Sequence, residues 1–444
     1  MKTSLRLAGC GLALILSASA RADANLDLPP DPLDLKGAVT YALDHNYAIL
    51  QAREEIRQQE GIVLQVRAPQ IPNVTGTYNY QRNAAAISSY YPPENSEWFA
   101  ELKATQMLFA GGGIAASIKN AELTRDASLS DLQTTVDTAL LGVRTAFYNV
   151  ILTREKVRVQ EENVALYESQ LHDTQNQFQV GSVSNFEVLR ARVALANAQP
   201  DLITARNDYR IAVEQLRQAL GMPEGGAGAG AAPFPTVQGS LDCQVEPCDV
   251  EAALISAHER RPELARLDKL EEAGQQSVTS ARSTYYPNLG IFGAYEWAGI
   301  GFAQDSNYNA NGWLFGLQST WSIFDGRNTA GKVVQAKSQL RQAQLSRLDE
   351  ELAIDVEVRQ AASSVQEAGE LVDASRETVG QAEEALRLAD SRFKAGTATQ
   401  LDVQTSQVAL TQARTNQLQA NYNYLVAAAT LRKAMGLGDA LVQP

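Results

Sequence analysis

Two regions of the chain alternate apolar and polar residues with the two-residue period of a β-strand. They cover residues 73–109 and 288–324, and a polar stretch divides each into two segments. Each segment is about ten residues long, which is the length that a tilted strand needs to cross a bilayer. The pattern predicts two transmembrane β-hairpins, and two soluble hairpins with one buried face are the alternative.

Tryptophan is confined to these two regions. Trp98, Trp297, Trp313 and Trp321 all lie in them, mostly towards the ends of the predicted strands. Membrane-spanning sheets carry aromatic girdles at the membrane interfaces, where the ring contacts lipid and its polar edge contacts water. These four side chains are therefore predicted to be membrane-interface aromatics.

Four strands are too few to close a barrel. An open sheet edge leaves backbone N–H and C=O groups without partners, and lipid supplies none. The smallest transmembrane barrels have about eight strands. The pattern therefore predicts an oligomer in which several chains share one barrel, without fixing the number of chains.

Long proline-free stretches rich in Ala, Gln, Glu and Arg follow the predicted hairpins, from about residue 114 to 177 and from 329 to 392. As helices they would each be roughly 95 Å long, too long for a compact domain. Shorter helical stretches follow at 184–220 and 399–435. The pattern predicts long helical hairpins that lie side by side in a layer below the barrel, and a solid coiled coil is the alternative.

Each long helical hairpin turns at a glycine, Gly181 in the first half and Gly396 in the second. Glycine can adopt the left-handed conformation that ends a helix, and Ser184 or Thr399 can cap the helix that follows. The spacing between Gly181 and Gly396 is here called the repeat offset. Other pairs of matching residues along the chain are separated by the same spacing, with no insertion or deletion between the halves, so the chain is predicted to be a tandem duplication. The same offset relates Phe109 to Phe324, Tyr209 to Tyr424, and Gly221 to Gly436.

Residues 1–22 have the features of an export signal. Lys2 and Arg6 give a positive start, an apolar run follows, and residues 20–22 form a small-residue cleavage site. A lipoprotein box ends at Cys10, but most of the apolar run lies after it, so lipidation is the less favoured interpretation. No later segment approaches 18 consecutive apolar residues, so no membrane-spanning helix is predicted.

Charge and composition exclude several classes of function. The formal net charge is −13, which argues against nucleic acid as a partner because phosphate binding needs a cationic surface. His45, His172 and His258 are scattered singly, and no nucleophile–base–acid set or ligand cluster is recognisable. The sequence therefore predicts neither an enzyme nor a cofactor-binding protein.

Residues 222–248 separate the two halves and begin with a run of glycine and alanine that is typical of a flexible linker. Cys243 and Cys248 flank four residues in this segment. Neither a second cysteine pair nor a histidine lies near enough to complete a metal site. In an exported protein, a local disulfide between these cysteines is the better prediction.

Two units of helix, β-hairpin, long helix, glycine turn and helix behind an export signal resemble the TolC family of outer-membrane efflux proteins. The most specific matches are the turns, Gly-Ser-Val-Ser-Asn-Phe-Glu-Val-Leu at 181–189 and Gly-Thr-Ala-Thr-Gln-Leu-Asp-Val at 396–403. The unit ends, Leu-Arg-Gln-Ala-Leu-Gly at 216–221 and Leu-Arg-Lys-Ala-Met-Gly at 431–436, also fit the family. The resemblance divides the chain into a signal (1–22), a first repeat (23–221), a linker (222–248), a second repeat (249–436) and a tail (437–444).

The resemblance implies a mixed α and β membrane protein. Three identical chains would contribute four strands each to a 12-stranded outer-membrane β-barrel, which a long periplasmic α-helical barrel continues. Such a homotrimer is a passive exit duct that receives substrates from an inner-membrane transporter of the RND or ABC type through a periplasmic membrane-fusion adaptor. Drug or metal efflux and type I protein secretion both fit, and a structural or surface coiled-coil protein is the competing interpretation.

The resemblance also implies roles for the glycine turns, which form the periplasmic entrance of the duct and meet the adaptor. Asp402 matches an acidic position near the entrance and Glu187 is its counterpart, although Asp402 could instead only cap its helix. Some family members carry a further acid and a base where this chain has Thr405 and Ala398, so a gate built from that set is not expected here. The implied docking residues are Gly181, Ser182, Ser184, Gly396, Thr397 and Thr399.

Overall fold

The computed structural model describes residues 29–82, 96–223, 234–300 and 309–441. The predicted export signal, Cys10, and parts of the hairpin loops, the linker and the tail lie outside these residues. The helices are α1 (Leu35–His45), α2 (Tyr47–Arg67), α3 (Gly113–Gln179), α4 (Asn185–Leu220), α5 (Val250–Arg260), α6 (Pro262–Ser283), α7 (Asn328–Lys394) and α8 (Gln400–Ala434), and the strands are β1 (Asn73–Arg82), β2 (Ser96–Ala110), β3 (Asn288–Ile300) and β4 (Asn309–Thr320).

The four strands form one antiparallel sheet in the order β1-β2-β3-β4. The two hairpins are as predicted, whereas the pairing of β2 with β3, which joins the two halves of the chain, was not predicted. Residues paired across antiparallel strands point to the same face of the sheet. The register pairs Gly76 with Leu102, Leu102 with Tyr295, and Tyr295 with Trp313. The predicted apolar positions of all four strands therefore share one face.

A β-bulge alters the predicted alternation in β2. The register shifts between Met107 and Phe109, which leaves Leu108 as an extra residue in the strand. Phe109 then pairs with Leu289, on the apolar face. The inserted residue moves the alternation by one position, so that Phe109 rather than Ala110 lies on the apolar face.

The second predicted hairpin is too long at its end, because β4 stops at Thr320 rather than reaching residue 324. Beyond it, Trp321 Nε1 donates a hydrogen bond to the carbonyl oxygen of Tyr285 at 3.1 Å. Gly326 then adopts a left-handed φ of 64°. The chain therefore leaves the sheet early and turns into α7.

The helices lie side by side. Near the sheet their order is α2, α3, α6, α7, and near the glycine turns it is α4, α3, α8, α7. α3 is therefore an interior helix along its whole length, whereas α2, α4 and α7 lie at the lateral edges. α3 and α7 have 67 residues each, which corresponds to a length of about 100 Å. Within the described ranges, no helix is both long and apolar enough to cross a membrane.

Helix bounds in the second half follow those in the first. The repeat offset takes both ends of α1 to the ends of α5, and both ends of α3 to the ends of α7. Each short helix packs on the middle of the long helix of its own half, where an apolar cluster forms. Phe147 and Leu216 lie in the first cluster, and Ile354 and Val358 in the second. These are the two larger apolar clusters of the described chain, and a smaller one lies between α3 and α4 around Tyr167 and Ala198.

The predicted disulfide in the linker is absent from the structure, because the thiols of Cys243 and Cys248 are both free. The Sγ atom of Cys243 instead faces Oδ1 of Asn421 in α8 at 3.8 Å. The backbone N–H of Glu246 donates to the hydroxyl of Tyr424 at 2.9 Å. Contacts of this kind, rather than a covalent cross-link, hold residues 243–246 against α8, whereas Val237 and Leu241 pack in the apolar cluster of the first half.

Candidate functional site

The glycine turns at the far end of the long helices have the predicted left-handed conformation. Gly181 has a φ of 76° and Gly396 a φ of 75°. After each glycine the next backbone N–H closes the turn: Ser182 donates to Gln177 at 2.8 Å, and Thr397 to the residue 392 carbonyl at 2.9 Å. These are Schellman motifs, in which the left-handed residue satisfies carbonyls that the helix end leaves free. No described atom lies within 4 Å of the place where either glycine would carry a Cβ.

Asp402 and Thr399 form a reciprocal cap at the start of α8. The Asp402 carboxylate accepts hydrogen bonds from the backbone N–H of Thr399 at 2.7 Å and from its hydroxyl at 2.8 Å. The Asp402 N–H in turn donates to the Thr399 hydroxyl at 3.4 Å. Bonds from the Thr399 backbone and side chain stabilise the carboxylate and lower the pKa of Asp402. The structure thus bears out the capping role of Asp402.

The first turn lacks this cap, although the sequence suggested one. Ser184 precedes α4, but its side chain makes no capping hydrogen bond. Glu187 lies instead near Arg190 of the same helix, with 3.8 Å between Oε2 and Nη1. The two turns therefore share their glycine geometry but differ in how firmly the second helix is anchored.

We expect Asp402→Asn to loosen the first turn of α8. The amide protection of residues 400–403 should fall several-fold, because the carboxylate that accepts both Thr399 bonds is lost. Since the folded pKa of Asp402 is lowered, the wild-type carboxylate stabilises the turn above its ordinary pKa and loses that effect as the pH falls through the lowered value. Hydrogen exchange at several pH values measures both effects. Glu187→Gln is the matched control, and equal protection in Asp402→Asn and wild type would contradict the assignment.

Exposed apolar side chains surround both turns, and sequence reasoning missed them. Val180 is 77% exposed and Phe186 66% exposed, beside Gly181. Leu401, after Gly396, is 54% exposed. Large apolar groups at the tip of a polar helical hairpin are typical of a binding surface. Their position within five residues of the glycines was the signal in the sequence.

The apolar face of the sheet is exposed in the single chain. Trp313 stacks edge-on against Tyr295, with ring centroids 4.7 Å apart, and is 73% exposed. Trp297 is also exposed, and Trp98 is half-buried opposite Tyr80. Trp321 lies beyond the end of β4, so it belongs to the connection between the sheet and α7 rather than to a strand.

The other face of the sheet is more polar. Thr77 pairs with Glu101, and Glu101 pairs with Glu296. Lys103 lies further along β2 on the same face, and its Nζ is 5.1 Å from the centroid of the Phe292 ring. A sheet with one exposed apolar face and one charged face can separate lipid from water.

Comparison with known proteins identifies the family that has this architecture. The model of the outer membrane efflux protein family matches residues 38–222 and 253–437. The chain belongs to that family. The efflux protein is therefore an outer-membrane protein, and the TolC-family resemblance read from its turns is confirmed.

Individual relatives agree with this assignment. The efflux protein is 24% identical to the outer membrane efflux protein BepC of Brucella suis over 90% of its length and 85% of BepC. It is 25% identical to the cobalt-zinc-cadmium resistance protein CzcC of Cupriavidus metallidurans over 91% of its length and 90% of CzcC. The crystal structure of the Campylobacter jejuni CmeC outer membrane channel superimposes with a TM-score of 0.77 at 15% identity, covering 92% of the efflux protein and 87% of CmeC.

Family membership also bears on the competing interpretations. The family consists of outer-membrane efflux proteins, which are channel proteins and not enzymes. Among the described residues, no group of three or more His, Cys, Asp or Glu side chains is placed to hold a metal ion. The surfaces that the described residues offer for interaction are the glycine turns, the two sheet faces and the lateral edges.

Proposed function

We propose that three copies of the efflux protein form a passive exit duct. Their sheets would close a 12-stranded barrel in the outer membrane, and their helices would continue it as a tunnel through the periplasm. Substrates would enter from an inner-membrane transporter, of the RND or ABC type, through a periplasmic adaptor that holds the glycine turns. The similarity to BepC, an efflux protein, and to CzcC, a metal-resistance protein, supports efflux as the role.

The main support for this proposal is that the two lateral edges of the chain differ and can pair with each other. In the described sheet β1 and β4 each pair on one side only. α2 and α4 lie on the same edge as β1, and α7 lies on the edge of β4. Helices on both edges expose apolar side chains: Leu64 of α2, Leu189, Val193, Ile203 and Ile211 of α4, and Val334, Leu345, Leu348, Leu352 and Val356 of α7.

The α7 residues form one stripe on the helix side opposite its buried core. Leu345, Leu352 and Val356 recur at intervals of seven and four residues, so they share one face, whereas Ile354 and Val358 lie on the other. A surface with two different, complementary edges associates head to tail, and a head-to-tail contact that closes gives a ring. Pairing of β4 with β1 of the next chain would also leave no strand edge open in lipid.

The turns are the proposed docking surface for the adaptor, and Gly396 tests this. We expect Gly396→Glu to weaken adaptor binding by roughly tenfold or more, the effect of losing one central contact. Trimer assembly should be preserved, because no described atom lies within 4 Å of the new Cβ. Adaptor capture by photo-crosslinking from Ser182 and Ala398 in cells, together with growth in the presence of an exported toxic substrate, measures the effect.

Gly142→Glu is the control for the added bulk and charge, although Gly142 does not share the left-handed φ of Gly396. Gly142 lies in α3, far from the turns, and no described atom lies within 4 Å of its Cβ position either. It should leave export and adaptor capture unchanged. Normal export by Gly396→Glu, with the trimer intact, would show that the turn is not the docking surface.

A further inference from the structure

We propose that a cleft between α3, α8 and the chain that follows α8 binds a small aromatic carboxylate. The cleft has a volume of about 300 Å³, at the lower end of the range for small-molecule pockets. Its walls come from residues 137–148 of α3, 425–433 of α8 and 437–440 beyond it. All of them belong to one chain, so the inference does not depend on the proposed ring.

Three cationic side chains line the cleft, and the first of them, Arg144, has an acidic partner. Its Nε and Nη2 groups donate to both carboxylate oxygens of Asp439, and the Nη2 bond is 2.6 Å long. The same carboxylate accepts the backbone N–H of Leu441 at 2.9 Å. Asp439 is therefore committed to these two donors, and the other two cations of the cleft are Arg432 and Lys433.

Arg432 and Lys433 are half-buried, and no carboxylate of the described chain lies at ion-pair distance from either. Arg432 Nε donates at 2.9 Å to the carbonyl oxygen of Gly438, which is neutral. Asp439 attracts Arg432 only from a longer range. A charge that is partly withdrawn from water needs a compensating charge, and a guanidinium can bind a carboxylate through two parallel hydrogen bonds. The missing component of the cleft is therefore an anion.

Asp137 is the second carboxylate of the cleft, and it does not neutralise these cations. It accepts a hydrogen bond from Gln133 Nε2 at 3.0 Å within α3. Burial raises the pKa of Asp137 against the effect of that hydrogen bond and of Lys433, and the carboxylates of Glu263 and Asp439 raise it further. Even when Asp137 is ionised, three cations face two carboxylates, so the cleft keeps a positive charge.

The first half of the chain shows what covers the equivalent arginine there. The repeat offset takes Arg432 to Arg217, whose guanidinium carbon lies 5.7 Å from the centroid of the Phe234 ring in the linker. Arg217 Nε also lies 3.6 Å from a carboxylate oxygen of Glu214. A guanidinium is stabilised by both contacts, the aromatic face and the opposite charge. An aromatic ring and a carboxylate therefore cover the arginine of the first half.

The described chain places neither group over Arg432. The counterpart of Glu214 is Ala429, which lines the cleft, and no described aromatic ring lies over Arg432 as Phe234 lies over Arg217. Apolar side chains complete the walls: Leu141, Leu425 and Leu437. A ligand that carries a carboxylate on an aromatic ring would supply both missing groups at once. The comparison of the two halves thus identifies the chemical class of the ligand.

Titration of the detergent-solubilised full-length protein with para-fluorobenzoate at constant ionic strength, followed by fluorine NMR, tests the inference. We expect saturable binding of this probe and none of para-fluorobenzamide, which has the same ring without the charge. Arg432→Gln should weaken the binding about tenfold, the effect of losing a hydrogen bond between charged groups. Asp137→Asn should instead strengthen it several-fold, because a repelling carboxylate is lost while the shape of the cleft is kept.

Arg217→Gln is the matched control, because Arg217 is the repeat counterpart of Arg432 and is already covered, so it should leave the affinity unchanged. If Arg432→Gln does not fold, Lys433→Gln takes its place, since the first half carries Gln218 at that position. No saturable binding, or wild-type affinity in the folded variant, would overturn the inference. Equal binding of the amide would overturn it too, because the cleft would then recognise the ring alone. None of these outcomes affects the proposed exit duct.

Discussion

Gly221→Ala is expected to destabilise the junction between α4 and the first two helices by about 3 kcal/mol, the sum of a conformational and a packing cost. Gly221 has a φ of 74°, and its Cβ would overlap the carbonyl oxygen of His45 and lie 3.1 Å from Cα of Asn46. The left-handed conformation costs alanine about 1 kcal/mol, and overpacking against backbone adds about 2 kcal/mol. Backbone atoms cannot rotate away, so this clash must move the helices.

Gly181→Ala is the matched control, since Gly181 has nearly the same φ of 76° but no described atom within 4 Å of its Cβ position. It should cost only the conformational term of about 1 kcal/mol. Hydrogen exchange of the amides around residues 45–50 and 216–222 should rise about a hundredfold in Gly221→Ala, if local opening exposes them. A rise no larger than that at the turn in Gly181→Ala would show that the junction adapts to the extra methyl group.

Sequence reasoning found the glycine turns because their signal is local. A glycine after a helix and a polar residue before the next helix specify a left-handed cap whatever surrounds them, and Gly181 and Gly396 both adopt it. The same local reasoning suggested a side-chain cap at Ser184 and Thr399, of which only Thr399 forms one. Asp402 stands at the third position of its helix and completes a reciprocal pair there. Which role a capable residue adopts depends on its rotamer, which spacing does not fix.

Other features depend on contacts between distant residues, and the sequence predicted these less well. The pairing of β2 with β3 joins residues from different halves of the chain, such as Leu102 and Tyr295, and no local pattern indicates it. The bulge at Leu108 is set by that pairing. Cys243 was assigned to a disulfide from its nearness to Cys248 in sequence and from the export signal, whereas its side chain faces Asn421 of α8. Each miss concerns a partner that is far away in the sequence.

Leu345→Glu combined with Leu352→Glu is expected to abolish the proposed trimer while the single chain keeps its helices. Both side chains are half or more exposed in the single chain, and both lie on the face of α7 that points away from its buried core. Burying a leucine stabilises a contact by about 2 kcal/mol, so each interface would lose about 4 kcal/mol before any cost of burying charge. Every interface of the ring carries both changes. Native mass spectrometry of the detergent-solubilised protein should show monomer, with unchanged helical circular dichroism.

Leu129→Glu is the control that tells whether assembly depends on the lateral contact or on exposed apolar surface in general. Leu129 is 48% exposed, as Leu345 is at 50%, but it lies in α3, which has helices of its own chain on both sides. Because its exposed side faces water rather than a neighbouring chain in the proposed ring, this substitution should leave the trimer intact. A double variant that stays trimeric would remove α7 from the interface. Loss of the trimer in Leu129→Glu as well would mean that exposure alone, and not the position at a lateral edge, determines assembly.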